Sequence, residues 1–244
     1  MTEVAALEIA GLRKTFGGVV ALAGVDITVP LDQILGIVGP NGSGKTTLFN
    51  VVTGVYRPTA GRVVWQGEDI TGRPSYEIAR KGLVRTFQQA MSFKGLSVQE
   101  NVRIAWEHRR AVRKSRSAQW ASPQAILGFV GLAGHERDVA GSLPFGNLRR
   151  LGLAVALAAD PMLLLLDEPG AGLNDRETAE LAELIRRLPG MGIGVCLIDH
   201  DMTLMHALCS RLVVLDFGSK IAEGPTAEVL NDAKVVEVYL GSEL

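Results

Sequence analysis

The 244-residue chain has only two cysteines, Cys196 and Cys209, both among apolar neighbours. At most one bridge is available, so no disulfide framework carries the fold, and a reduced compartment is expected. Neither charge sign is in excess: 25 Lys and Arg against 26 Asp and Glu leave a net charge of −1. That excludes a nucleic-acid binder working through a bulk positive field. Long apolar runs are also lacking. Charge-free stretches such as Leu151 to Ala159 and Leu188 to Ile198 extend nine and eleven residues, against the roughly 20 that a membrane-spanning helix needs. The N-terminal MTEVAALEIAGLRK places Glu3 and Glu8 where an export signal would be basic and then apolar, so export is not expected. No internal repeat and no Ser/Pro/Gly-rich linker divides the chain, which predicts a single domain with a sizeable core. What the chain does have is glycine: 28 residues, about 11% against a usual value near 7%. Glycine serves where backbone bends sharply or approaches a ligand.

Short strand-like runs come first, at Leu7 to Gly11, Val25 to Val29 and Arg62 to Trp65, separated by glycine turns such as Phe16-Gly17-Gly18. The run Ile34-Leu35-Gly36-Ile37-Val38 is then apolar on both faces, as a buried parallel strand is. It leads through a glycine-rich turn into a helix from Lys45 to Thr53 closed by Gly54. Met162 to Leu166, Ile193 to Ile198 and Leu212 to Leu215 read as further buried strands. Leu181, Leu184, Ile185 and Leu188 repeat at helical spacing, with Asn174 and Glu177 as a capping pair and Pro189-Gly190 as the stop. Strands alternating with helices predict an α/β fold on a parallel sheet. Residues 91–159 read as a mainly helical insertion into a core of residues 1–90 and 160–220, with 221–244 as a C-terminal tail.

Gly39-Pro40-Asn41-Gly42-Ser43-Gly44-Lys45-Thr46 fits the phosphate-loop pattern and sits between a buried strand and a helix, as its mechanism demands. The glycines let successive N–H groups turn toward phosphate oxygens, and the helix N-terminus adds partial positive charge. Lys45 would reach the β- and γ-phosphates and the Thr46 hydroxyl would ligate Mg²⁺, with Thr47 beside it. Next, Leu163 to Leu166 carry Asp167 and Glu168 to the end of a buried strand, the edge where open α/β sheets bind ligands. Asp167 is placed to hold Mg²⁺. Glu168 is the candidate general base for water attacking the γ-phosphate, its plain alternative being an acid that complements a helix dipole. His200 follows another buried strand; it is either structural or a sensor of the γ-phosphate.

These elements in this order, with Gln88 after Phe87 and the Gly146 stretch ahead of the Asp167 strand, resemble an ATP-binding-cassette ATPase over essentially the whole chain. The resemblance implies a P-loop, RecA-like parallel-sheet core with an N-terminal antiparallel β subdomain and an inserted helical subdomain. ATP would be the substrate and Mg²⁺ the cofactor. Phe16 stands where the family's aromatic stacks on adenine, and Gln88 where a glutamine links Mg²⁺ to the transmembrane partner. Ala171-Gly172-Leu173-Asn174 occupies the loop that crosses the dimer interface, and His200 matches the switch histidine. The implied ATP site is thus Phe16, Gly39 to Thr47 and Gln88, the metal ligands Thr46, Gln88 and Asp167, and the catalytic pair Glu168 and His200.

The chain resembles more closely the ATPase subunits of branched-chain and hydrophobic amino-acid uptake systems. The residues that carry this are Arg85-Thr86-Phe87-Gln88, Glu168 through Asn174, Asp199-His200-Asp201-Met202, and the tail from Ala222-Glu223-Gly224-Pro225 to Tyr239-Leu240-Gly241. The departure is at the signature loop, commonly Leu-Ser-Gly-Gly-Gln but here Leu143-Pro144-Phe145-Gly146-Asn147. Pro144 offers neither hydroxyl nor N–H, and Phe145 replaces a glycine. Losing one donor to a phosphate weakens transition-state stabilisation by about 2 to 4 kcal/mol. The resemblance therefore implies an asymmetric pair with a second, non-identical cassette, transmembrane permease subunits and, indirectly, a solute-binding protein, at the cytoplasmic face of the membrane and with no nucleic acid. Met91, Phe93 and Leu96 are expected either to line the groove that receives the permease or to be core. Six basic residues between Arg103 and Arg116 read as a solvated helix face or as a patch for anionic headgroups or RNA. A phosphotransferase and a nucleotide-binding regulatory cassette remain the alternatives.

Overall fold

The N-terminal strands alternate, so one face is covered and the other wet. The computed structural model describes residues 5–86, 92–112 and 120–240. It pairs β1 (Ala5–Phe16) with β2 (Val19–Pro30) as an antiparallel ribbon, in which Val25, Ile27 and Val29 are buried while Asp26 and Thr28 are exposed. β4 (Ala60–Trp65) and β5 (Glu68–Asp69) complete a four-stranded sheet of order β2-β1-β4-β5. Both long strands exceed the short runs expected from the sequence. Their register continues to the turn at Gly17 through positions of mixed character, exposed Val19, Val20 and Phe16 beside half-buried Lys14 and Thr15 and buried Leu22, which no period-2 alternation marks.

The second sheet has six strands in the order β10-β9-β3-β8-β7-β6. These are β3 (Ile34–Val38), β6 (Leu83–Arg85), β7 (Leu163–Asp167), β8 (Gly194–Ile198), β9 (Arg211–Asp216) and β10 (Ser219–Pro225). β3, β7 and β8 are buried at every residue and pair in parallel. Their side chains divide by alternation. Ile34, Val38, Leu164, Leu166, Val195 and Leu197 face a core with the helices of the insertion; Leu35, Ile37, Leu163, Leu165, Cys196 and Ile198 face a core with the antiparallel sheet. Two covered faces explain why these strands show no alternation in sequence. The edge strands β6 and β10 went unread because neither is an apolar run, and β10 is only half-buried. β10 also straddles residue 221, so the boundary drawn there from the sequence cuts through a strand of the core sheet.

Helices fill the gaps: α1 (Lys45–Val52), α2 (Ser75–Arg80), α3 (Val98–Val112), α4 (Pro123–Phe129), α5 (Phe145–Ala158), α6 (Asp175–Arg186), α7 (Met202–Leu208), α8 (Thr226–Val229) and α9 (Ala233–Leu240). Between residues 92 and 159 the described chain is mainly helical, with α3, α4 and α5 in mutual contact and a single bridge from Ser97 to Val139. The capping pair on α6 is formed. Glu177 N donates to Asn174 Oδ1 at 3.0 Å, and Asn174 N donates to Glu177 Oε2 at 3.1 Å. Pro189 to Met191 form one 3₁₀ turn after that helix.

Gly36 in β3 is required by close approach. A Cβ there would lie 2.4 Å from Met205 Cε, 2.5 Å from Leu212 Cδ2 and 2.8 Å from Cys209 Sγ. α7 and β9 therefore pack onto β3 through the space a side chain would take. Gly36→Ala overfills it and is expected to cost about 1 to 3 kcal/mol. Thermal unfolding would register this as a fall of about 2 to 4 °C per kcal/mol; an unchanged midpoint would refute the tight packing.

Candidate functional site

Parallel strands deliver whatever follows them to one edge of the sheet. Ile37 of β3 pairs with Ile198 of β8, and Ile198 pairs with Asp167 of β7. The segments beginning at Gly39, Asp199 and Glu168 are consequently neighbours at the C-terminal edge, where α/β sheets bind ligands.

The first segment is the glycine loop. Gly39 has φ 149°, and a Cβ on it would lie 2.0 Å from the Leu215 carbonyl oxygen, so only glycine fits against β9. Ser43 is buried within the loop, whereas Asn41, Gly42 and Thr46 are exposed, Pro40 and Thr47 half-buried. Gly44 caps α1 in the left-handed conformation, with no side-chain cap and no acid in the first turn. The N-terminal amides of α1 thus keep their donors and positive field for an anion. Lys45 folds over the loop, its Nζ donating to Gly39 O at 2.6 Å and Pro40 O at 2.8 Å. Burial lowers its pKa, while the charges of Glu168 and then Asp167 raise it, so both carboxylates face this ammonium.

Asp167 is buried and takes Arg85 Nη2 on Oδ2 at 2.5 Å. This partner was not read from the sequence, although Arg85 stood in the run that carried the family resemblance. Removing one member of such a buried pair costs about 3 to 5 kcal/mol. Glu168, half-buried, is held with φ 46°, a conformation L side chains rarely adopt, and its N–H donates to Ile198 O at 2.8 Å. A strained non-glycine residue at a ligand edge marks a position the surroundings over-determine.

Asp199 is a second residue the sequence reading left without a role. It is 1% exposed. Its Oδ1 accepts from His200 N at 2.8 Å and Asp201 N at 3.1 Å, and its Oδ2 from Gly170 N at 3.3 Å. One carboxylate thus ties the loop after β8 to the loop after β7. The available signal was an acid directly after a fully apolar strand, the same signal that picked out Asp167. His200 itself is exposed, with Nδ1 3.7 Å from Asp199 Oδ1. A groove of about 550 Å³ opens beside it, between the Gly170–Leu173 loop, α6 and α7.

The proposed signature and crossing loops meet on this side. Leu143 is buried, Pro144 stands at the N-cap of α5 without a side-chain cap bond, and Gly146 packs on Glu177. Phe145, half exposed, covers Gly172: a Cβ on Gly172 would lie 2.9 Å from the phenyl Cε1. Arg149 sits 5.0 Å from the Phe145 ring centroid and donates from Nη2 to Ala171 O at 2.8 Å. Its pKa is lowered by burial against the raising charges of Asp199 and Glu168. Asn147 and Leu173 are half-buried alongside, and Asn174 caps α6.

Phe16 is exposed at the end of β1, edge-on to Tyr56 at 5.2 Å, with Lys14 Nζ 4.6 Å from its centroid. Phe93 is exposed, and its backbone N and O are both held by buried Asn101, at 2.7 and 3.2 Å. Leu96 is half-buried. Gln88, Met91 and the basic residues Arg113, Lys114 and Arg116 lie outside the described residues.

Gly42 separates folding from binding. A methyl there meets nothing within 4 Å but requires φ 81° and enters the open face of the loop. Gly42→Ala is expected to fold with a strain of about 1 to 3 kcal/mol and to lose most ATP affinity. Gly39→Ala is expected to disrupt the fold at β9. Titration with a fluorescent ATP analogue, beside thermal melts, distinguishes the two; wild-type affinity in Gly42→Ala would refute the loop as the phosphate cradle.

Comparison with known proteins agrees with this geometry. The sequence model of the family described as "ABC transporter" matches residues 22–171. A second, described as "Branched-chain amino acid ATP-binding cassette transporter", matches residues 219–244. The high-affinity branched-chain amino acid transport ATP-binding protein BraF of Pseudomonas aeruginosa is 39% identical over 96% of this chain and 97% of its own length. The LivG protein of Escherichia coli is 36% identical over the same shares. The ADP conformation of MJ1267, an ATP-binding cassette of an ABC transporter, superposes with a TM-score of 0.87 at 31% identity, covering 98% of this chain and 99% of that one. With the family model spanning more than half the chain and relatives matching nearly all of it, this protein belongs to the ABC transporter family as one of its ATPase cassettes.

Proposed function

We propose that this chain is the ATP-hydrolysing subunit of an importer for branched-chain or other hydrophobic amino acids, at the cytoplasmic face of the membrane. It works with transmembrane permease subunits, is served indirectly by a solute-binding protein, and pairs with a second, non-identical cassette. The observation that carries the asymmetry is the contrast between two halves of one chain. Its phosphate loop, strand-end carboxylates and His200 share one edge, whereas its signature loop begins with Pro144 and Phe145.

In this reading the phosphate loop and the α1 N-terminus bind the triphosphate, with Lys45 transferring its hydrogen bonds from the Gly39 and Pro40 carbonyls to phosphate oxygens. Phe16 carries the adenine. Thr46, exposed at the start of α1, and Asp167, whose charge acts on Lys45 of the loop, offer hard oxygen donors, a set that suits Mg²⁺ with its remaining positions left to water and phosphate. Together with Gln88 they would hold the ion, which supplies neutralisation of charge on the β- and γ-phosphate oxygens. Glu168 takes the proton of the attacking water, and His200, adjoining the Asp199 hub, contacts the γ-phosphate. The Ala171–Asn174 loop crosses to the partner cassette, so ATP binding closes the pair and hydrolysis reopens it. Phe93 and Leu96 belong to the face that receives the permease.

Glu168→Gln should bind ATP and remain paired with its partner while turnover falls about 10²- to 10⁴-fold. Unchanged turnover in a coupled phosphate-release assay would exclude Glu168 as the base. The asymmetry has its own test. Mixing this chain with a non-identical cassette that carries an intact signature loop should raise turnover above either protein alone, and vigorous hydrolysis by the purified homodimer would refute the asymmetric pair.

A further inference from the structure

The mechanism above makes no use of Arg85, yet the guanidinium is buried as deeply as the carboxylate it faces. Both side chains are 5% exposed, with Nη2 2.5 Å from Asp167 Oδ2. Its other terminal nitrogen, Nη1, donates to Asn50 Oδ1 at 2.6 Å. Asn50 lies on α1, the helix that opens at the phosphate loop. The Phe49 ring, also on α1, lies 5.6 Å from the guanidinium carbon. Arg85 ends β6, and the next residue, Thr86, donates its N–H to Leu165 O at 2.9 Å, which fixes the backbone beside β7. One side chain therefore spans the phosphate helix, the strand that bears the carboxylate, and the strand that leads toward Gln88.

A buried carboxylate without a partner is costly, and a divalent cation can meet that need only while it is bound. We propose that Arg85 is the counter-ion that holds Asp167 while Mg²⁺ is absent, so that the metal binds in competition with the guanidinium. Arg85 is then a positioning residue that sets how much Mg²⁺ the cassette requires. The inference rests on Asp167 being a metal ligand. Arg85 fixes the rotation of the carboxylate through Oδ2, and Asn50 fixes the guanidinium relative to the phosphate loop. A fixed positive charge beside the site weakens the pull of Asp167 on a dication and thereby raises the Mg²⁺ concentration at which nucleotide binding saturates. A purely structural bridge would instead stabilise the protein equally at all Mg²⁺ concentrations.

The test is the thermal midpoint of the full-length chain with a non-hydrolysable ATP analogue, titrated with Mg²⁺. Arg85→Gln is expected to melt lower than wild type without Mg²⁺ and to reach half-saturation at about tenfold less of it, equivalent to about 1.4 kcal/mol. Arg85→Lys, which keeps the charge but not the planar fork that reaches both Asp167 and Asn50, should shift half-saturation by no more than about threefold. If Arg85→Gln does not fold, Asn50→Ala releases the guanidinium from α1 and should lower half-saturation about threefold, in line with the loss of one hydrogen bond. A half-saturation point unmoved in the folded variant overturns the proposal. Asp167→Asn separates that failure from failure of the metal assignment. If Asp167→Asn abolishes the Mg²⁺ response and Arg85→Gln leaves the half-saturation point where wild type has it, the competition is absent; if Asp167→Asn responds as wild type does, Asp167 is not the ligand.

Discussion

Parallel pairing of β3, β8 and β7 is the constraint on which the rest of the molecule depends. Because the three strands run the same way and are paired without a register shift, their C-terminal ends stop together, and Gly39, Asp199 and Glu168 emerge side by side. Parallel strands must be covered on both faces, which explains the two hydrophobic cores and the division of each strand between them. The antiparallel sheet with α1 supplies one cover and the helices of the insertion and of α6 and α7 the other. Without either cover the loops at the edge would have no fixed spacing.

At that edge the balance of charge is close and local. Asp167 and Glu168 face Lys45, Asp167 is paired with Arg85, and Asp199 and Glu168 act on Arg149. Asp199 satisfies three backbone N–H groups and in doing so sets the two loops in register. These contacts leave the phosphate-facing donors of α1 uncapped by any side chain, which is the arrangement an incoming triphosphate needs.

The signature and crossing loops, on the same side, are built differently. Phe145 lies across Gly172 with Arg149 on the ring and on the Ala171 carbonyl, so the start of α5 and the crossing loop are packed against each other through an aromatic plate. The ring takes the position where a glycine would leave backbone open to a phosphate. With Pro144 and Phe145 at its start this loop offers fewer donors than the common one, which is the ground for the asymmetric pairing proposed for the chain.

The buried strands, α1 and its glycine loop, and the capping box of α6 are legible in the sequence because each rests on local physics: continuous apolar runs, glycine spacing, a side chain reaching its own helix start. Asp167 and Glu168 were legible for the same reason, as polar residues ending an apolar strand. β6 and β10 were not, because edge strands owe their existence to a neighbour's hydrogen bonds and not to their own composition. Nor were the partners of Arg85, Asp199 and Phe145. Asp167 lies 82 positions from Arg85, and Gly170 lies 29 from Asp199. No spacing rule connects residues so far apart; parallel crossover connections bring them together only once the sheet is assembled. The ligand chemistry of the edge follows from local runs of residues, whereas the charges and rings that hold it in place come from strands far apart in the chain that meet only in the assembled sheet.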